Sequence, residues 1–368
     1  MKIGIPREIK PQEGRVALLP AQVGELCAAG HAVIVEHGAG LRAGAEDLAY
    51  EAVGAVLGLG PEAIYADAEL IVKVKEILPP EFALLRPEHV IFSNLHAALD
   101  QVQLDRLLEV GLTAIAAEET HALGSPNSVL AGEIGALEGL RLTFASHGGT
   151  GRHFLPHFGA PATRAVVLGL GAVGRAAVRT LLRLGVQVAA FETDPAARRG
   201  AALEWAGAPF SIGAVEDLRK LLADADMIVN CVKWPKTRHD HLIDRADLDL
   251  MKRTAVIVDI ACDRAGAIET SRPTTWQDPI YVAAGIRHFC VDNIPGAVPV
   301  AASAGYAEAI LAHVRRIADL GALEACRRDP WLRRGLTCAG GVLILEEAAR
   351  VQHRPHTPAE DFLAERSA

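Results

Sequence analysis

The chain has 368 residues, half of them apolar, with 37 Lys and Arg against 45 Asp and Glu. That length exceeds one ordinary α/β unit and suits two domains, while the formal charge of −8 argues against a nucleic-acid or anionic-membrane surface. Six cysteines (Cys27, Cys231, Cys262, Cys290, Cys326, Cys338) without CxxC spacing, no signal-peptide apolar region and no apolar run near the ~18 residues of a membrane span point to a soluble, cytoplasmic protein.

From the start, short apolar strands alternate with helical patterns: KIGI (2–5), AVIVE (32–36), LIVKV (70–74), VIFS (90–93) and TAIAA (113–117). Pro20 opens an amphipathic helix and Gly30 follows its end. The third strand finishes oddly, because Lys73 and Lys75 lie two apart and project from one face. A long helical segment, 128–146, leads through a Gly-rich loop (148–162) into a second series: RAVVL (164–168), VQVAAFE (186–192), MIVN (227–230), AVIVDI (255–260) and IYV (280–282). Past VDNIPGAVP the pattern is helical and returns to the first lobe. The expected fold is α/β, with two doubly wound parallel-sheet lobes and an active-site cleft between them. Residues 1–127 plus 301–368 are read as the substrate domain and 128–300 as a Rossmann dinucleotide-binding domain.

The most specific local signal is RAVVLGLGAVG. Gly169, Gly171 and Gly174 form GxGxxG directly after a strand, with Ala172 and Val173 opening the helix between them. The glycines permit a tight turn, close approach of a pyrophosphate and close helix–strand packing, and the helix N-terminus favours the phosphates. Glu192, ending the second strand, is placed to accept hydrogen bonds from the adenosine ribose hydroxyls. A 2′-phosphate beside it would meet a repulsion of roughly 3 kcal/mol per unit charge at ~5 Å and an effective dielectric of ~20. That favours NAD, although Arg198 and Arg199 nearby keep NADP open.

Ligands in doubly wound sheets sit outside the carboxyl ends of strands. Arg15 follows the first strand, Lys73 and Lys75 end the third, and His96 follows the fourth. Asp263 follows the strand 255–260 and Asn293 another short apolar run. An Arg fork suits a carboxylate, a Lys adds a point charge, and His or Asp moves protons. These are the groups that oxidation of an α-amino acid requires, with the cofactor taking the hydride. Singly, each has a structural reading as a salt bridge, cap or turn former. RHDH (with His239, Asp240 and His241) and HFLPH (with His153 and His157) lie in predicted loops without the Cys or carboxylate partners of a familiar site, so no metal is expected.

IGIPREIKPQEGRVALLPAQV, LIVKVKE, LHAALD, the GLGAVG turn, VDIACDRAGAIETSRPTT, DPIYV, VDNIPGAVP and LRRGLTCAGGVLILEEAARV together resemble the alanine dehydrogenase family, in order and spacing, over essentially the whole chain. The resemblance implies NAD-linked reversible oxidative deamination of L-alanine to pyruvate and ammonia. It implies Arg15 and Lys75 as the pair holding substrate carboxylate and carbonyl, His96 and Asp263 as proton-transfer residues, and Glu192 and Asn293 near the cofactor. It also implies a homo-oligomer, hexamer or dimer, with a small amino or keto acid as partner. On this reading Lys75 faces substrate, and Lys73 is solvated or ion-paired.

The chain departs from the family's usual text at Leu95 (commonly Tyr), Gly132 (commonly Ser) and Leu19 (commonly Thr or Ser), and in the loops 148–162 and 231–242. Two other readings therefore stay open. One is an opine-type reductive condensation of pyruvate with an amino-acid side-chain amine, resembling N5-(carboxyethyl)ornithine synthase. The other is a non-catalytic NAD-binding regulatory protein.

Overall fold

A computed structural model describes residues 1–122, 124–262 and 264–366, and the counts here refer to these. Two compact units divide the chain: Met1–Asn127 with Gly296–Ala368, and Ser128–Pro295.

In the first unit the strands β1 (Lys2–Ile5), β2 (Ala32–Glu36), β3 (Val56–Gly58), β4 (Leu70–Val72), β5 (Val90–Ser93) and β6 (Thr113–Ala116) pair in parallel, in the order 3-2-1-4-5-6. In the second, β7 (Arg164–Leu168), β8 (Gln187–Phe191), β9 (Phe210–Gly213), β10 (Met227–Asn230), β11 (Val256–Asp259), β12 (Ile280–Ala283) and β13 (Ile286–Phe289) follow the same logic. Read from β9 they run β9-β8-β7-β10-β11-β13, with β12 added antiparallel at the edge. Each unit is thus a doubly wound, mainly parallel sheet of Rossmann order, which reverses direction beside its first strand.

Alternation within single strands shows why helices cover both faces. Ile3, Ile5, Leu70 and Val72 enter one core and Ile71 and Ile91 another, while Ala165 and Val167 oppose Val166 and Leu168. Helix boundaries follow local chemistry. Pro20, Pro61, Pro195 and Pro299 each stand in a first turn. Asp100 caps Gln101–Val110 by accepting from Gln103 N at 2.9 Å, and Gly111 ends that helix at φ 79°.

Several expected boundaries shift. The LIVKV strand stops at Val72, because Val74 N donates at 2.6 Å to the Glu8 carboxylate instead of continuing the ladder. The long helix ends at Leu142, and VQVAAFE pairs only over Gln187–Phe191. The C-terminal stretch is not wholly helical. β14 (Leu336–Ala339) and β15 (Val342–Leu343) form a hairpin through Gly340 and Gly341, both with positive φ, and extend the first sheet antiparallel to β6.

Candidate active site

In the first unit the sheet's switch point lies between β1 and β4, and the loops leaving their carboxyl ends meet there. Glu8 joins them: its Oε1 accepts from Val74 N at 2.6 Å and Lys75 N at 3.2 Å. Burial pushes the Glu8 carboxyl up, against the pull of Lys73.

Lys73 and Lys75 are both buried, so the solvated alternative for Lys73 falls away. Lys73 Nζ lies 2.6 Å from Glu81 Oε1 and 3.5 Å from Glu8 Oε2. Burial disfavours its charge, but these two acids outweigh that and raise its proton affinity. Tyr65 donates to the same Glu81 oxygen at 2.8 Å, and Tyr306 donates to the Lys73 carbonyl at 3.1 Å. Lys73 is therefore a structural cation sealed into the core.

Lys75 turns elsewhere. Its Nζ stands 3.5 Å from Glu76 Oε1, and His96 Nε2 approaches that same oxygen at 3.9 Å. His96 is half-exposed and takes a left-handed backbone conformation, φ 47°. Glu118, at the end of β6, holds that turn by accepting from His96 N at 2.6 Å and Leu95 N at 3.0 Å, and it lies 3.6 Å from His96 Nδ1. Burial pushes the Glu118 carboxyl up to about 7, although these N–H groups oppose the shift.

Arg15 is buried beside Glu13, whose carboxylate takes the guanidinium fork: Nε to Oε1 at 2.8 Å and Nη2 to Oε2 at 2.6 Å. With the Asn127 amide oriented to satisfy its neighbours, its oxygen accepts from the remaining Nη1 at 2.9 Å. Arg15 lines a cavity of about 320 Å³ together with Arg7, Glu8, Glu13 and Arg42. Glu13, Glu76 and Glu118 are the site acids that sequence reasoning missed. Glu76 and Glu118 were detectable by the same strand-end rule that singled out Lys75 and His96, whereas the pairing of Glu13 with Arg15 follows only from contacts.

In the second unit the switch point lies between β7 and β10, and the glycine turn leaves β7 there. Gly169 has φ 83°, and Gly171 is the N-cap of the helix Ala172–Arg183 without a side-chain cap. A Cβ at Gly171 would meet no protein atom within 4 Å, whereas one at Gly174 would run into Gly169 O. The turn therefore leaves open space against an uncapped helix start carrying Ala172 and Val173, which fits a pyrophosphate. Glu192 follows β8 and reaches the turn, accepting from Leu170 N at 2.8 Å and from Thr193 N at 2.7 Å. Burial raises its pKa, but the backbone N–H donors outweigh that and keep it ionised. Asn293 is buried after β13, and its carbonyl accepts from Trp276 Nε1 at 3.0 Å. Asp263 lies outside the described residues.

The departures from the usual family text acquire local reasons. Leu95 is fully buried in an apolar core of the first unit. Gly132 abuts the glycine-turn helix, where a Cβ would strike Val173 O. Leu19 is an N-cap residue without a capping side chain. In the loop after β10, Arg238 stacks 4.2 Å over the buried Trp234, and His241 Nδ1 lies 2.7 Å from Gly266 O.

Two doubly wound sheets, one bearing a dinucleotide fingerprint and the other a cluster of paired cations and carboxylates, define a two-domain protein of the dinucleotide-binding class. The sequence matches the Alanine dehydrogenase/PNT, N-terminal domain over residues 4–129 and the Alanine dehydrogenase/PNT, C-terminal domain over 145–346. The chain belongs to the alanine dehydrogenase/PNT family. It is 34% identical to the alanine dehydrogenase of Mycolicibacterium smegmatis over 371 residues, covering 99% of this chain and 100% of the relative. It is also 34% identical to that of Bacillus subtilis over 375 residues, covering 100% and 99%. Among solved structures, an L-alanine dehydrogenase superposes with TM-score 0.88 at 32% identity, covering 96% of this chain and 99% of the other. A transhydrogenase from Sinorhizobium meliloti shares the fold, with TM-score 0.77 at 24% identity over 94% and 99% of the two chains.

Proposed function

We propose that this protein is an NAD-dependent amino-acid dehydrogenase that reversibly deaminates L-alanine to pyruvate and ammonia. One observation carries the reading: Lys75 and His96, from loops after adjacent parallel strands, face a single Glu76 oxygen in a chain whose full length matches alanine dehydrogenases. Segments 1–127 and 301–368 act as the substrate domain, and 128–300 as the NAD-binding domain.

Bound NAD supplies a hydride acceptor at Cα. The rest falls to the chain. The substrate amine must be neutral before the hydride leaves, and water must then add to the imine. His96 and Asp263 take and return those protons. The Lys75 ammonium polarises the carbonyl that forms, and Arg15 orients the carboxylate. Gly169, Gly171 and Gly174, with Ala172 and Val173, would cradle the pyrophosphate, Glu192 would receive the adenosine ribose, and Asn293 belongs to the cofactor site. The protein works in the cytoplasm as a homo-oligomer, hexamer or dimer.

The test supplies pyruvate and NADH with ammonia, then with ornithine or lysine in its place, and alanine with NAD or NADP in reverse. Turnover with ammonia and alanine is expected. NADH consumption only with ornithine or lysine would establish the opine-type reaction, and NADH binding without turnover of any substrate would establish a non-catalytic module.

A further inference from the structure

Glu76 is the meeting point of three basic side chains. Lys75 Nζ at 3.5 Å and His96 Nε2 at 3.9 Å face its Oε1, and Lys10 Nζ at 3.6 Å faces its Oε2. These separations are too long for hydrogen bonds, so the carboxylate acts on its neighbours through charge. Its Oε2 makes no hydrogen bond among the described residues. Burial alone would raise its pKa, but Lys75, His96 and Lys10 overcome that and hold it down at about 2. Glu76 is therefore an anion throughout the working pH range.

The chemistry gives this anion a task. A site that binds a carboxylate with Arg15 and Lys75 is rich in positive charge, and positive charge weakens any base beside it. His96 must nevertheless accept a proton during deamination. Among the described residues, the carboxylates facing it are Glu76 from the loop after β4 and Glu118 from the turn after β6; Lys75 faces the same Glu76 oxygen as His96, and Lys10 faces the other. Glu118, with its carboxyl raised to about 7, changes charge within the working range and so cannot by itself supply a constant counter-charge.

We propose that Glu76 is a positioning residue for the reaction, whose fixed negative charge gathers the Lys75 ammonium and the His96 imidazole at one oxygen and sets the proton affinity of His96. The inference rests on the amino-acid dehydrogenase reading for its kinetic consequence, but its electrostatic core is measurable without turnover.

The experiment follows the His96 imidazole resonance, assigned with His96→Asn, through a pH titration of the full-length protein by NMR. Glu76→Gln keeps the shape and removes the charge, and should lower the His96 midpoint by about one unit, given the distance and half-exposure. Lys10→Met removes a countercharge and should move the midpoint upward. In kinetics, Glu76→Gln should shift the acidic limb of kcat/KM for alanine down by the same amount and cut kcat about tenfold, with NADH affinity unchanged. Glu76→Asp should restore much of the limb. Unmoved midpoints in both Glu76→Gln and Lys10→Met would overturn the inference, even in an active enzyme. Shifted midpoints in a protein that turns over no amino acid would instead overturn the proposed function.

Discussion

Lys73 and Lys75 are neighbours in sequence with opposite expected roles, and replacing each by Met separates them. Lys73 is fully enclosed between Glu81 at 2.6 Å and Glu8 at 3.5 Å. Lys73→Met leaves two acids in the core without their cation, a change that typically costs about 3–5 kcal/mol. Against a total stability of about 5–15 kcal/mol, that is a large fraction. For a unit of roughly 200 residues it corresponds to a melting point lower by about 10 °C. The sign of the pH dependence is fixed by Glu8. Burial raises its folded pKa above the unfolded value, and losing Lys73 removes the main opposing pull. A raised carboxyl stabilises the fold at low pH and loses that contribution as pH rises through the folded pKa. The deficit of Lys73→Met should therefore be largest at pH 8 and shrink at pH 5. Lys75→Met removes one of three basic side chains around Glu76, so melting should move by less than about 4 °C while alanine turnover falls on the order of a thousandfold. Melting curves by circular dichroism at both pH values, with NADH titration and alanine turnover, check the pair. A Lys73→Met protein melting like wild type at pH 8, or a deficit that widens in acid, would refute the reasoning.

The glycine turn separates packing from ligand approach. Gly174→Ala should destabilise the second unit, because its Cβ would strike Gly169 O. Gly171→Ala should leave melting unchanged and weaken NADH binding about tenfold or more, read by fluorescence titration. Glu118→Gln removes a carboxyl whose folded pKa of about 7 lies above its ordinary value of 4.5. The melting advantage of wild type over this variant should decline between about pH 4.5 and 7 and level off above that. Glu192→Ala should weaken NAD binding and narrow its advantage over NADP by about tenfold, measured as a ratio of Kd values.

Much of the architecture is written in local patterns. KIGI, AVIVE, VIFS, RAVVL and MIVN pair over the same residues that their apolar runs marked, because period-two burial is a property of each segment alone. The glycine spacing is equally local, since it answers to backbone conformation within one turn. The hairpin Leu336–Leu343 escaped notice because its strands are only 4 and 2 residues long, too short to show a period, and its partner β6 is far away in sequence.

Tertiary structure decided which polar residue does what. Sequence put lysines at 73 and 75 on one side of a strand end, yet only the 3-2-1-4-5-6 strand order brings the loop after β1, with Glu8, against the loop after β4. That juxtaposition buries Lys73 in a structural triad and leaves Lys75 to share Glu76 with His96. In the same way Glu13 takes the fork of Arg15, and Gly132 serves helix packing against Val173. Propensity and periodicity act along the chain and are legible there. The partner of a charge depends on distance through space, and is fixed only when strands remote in sequence have paired.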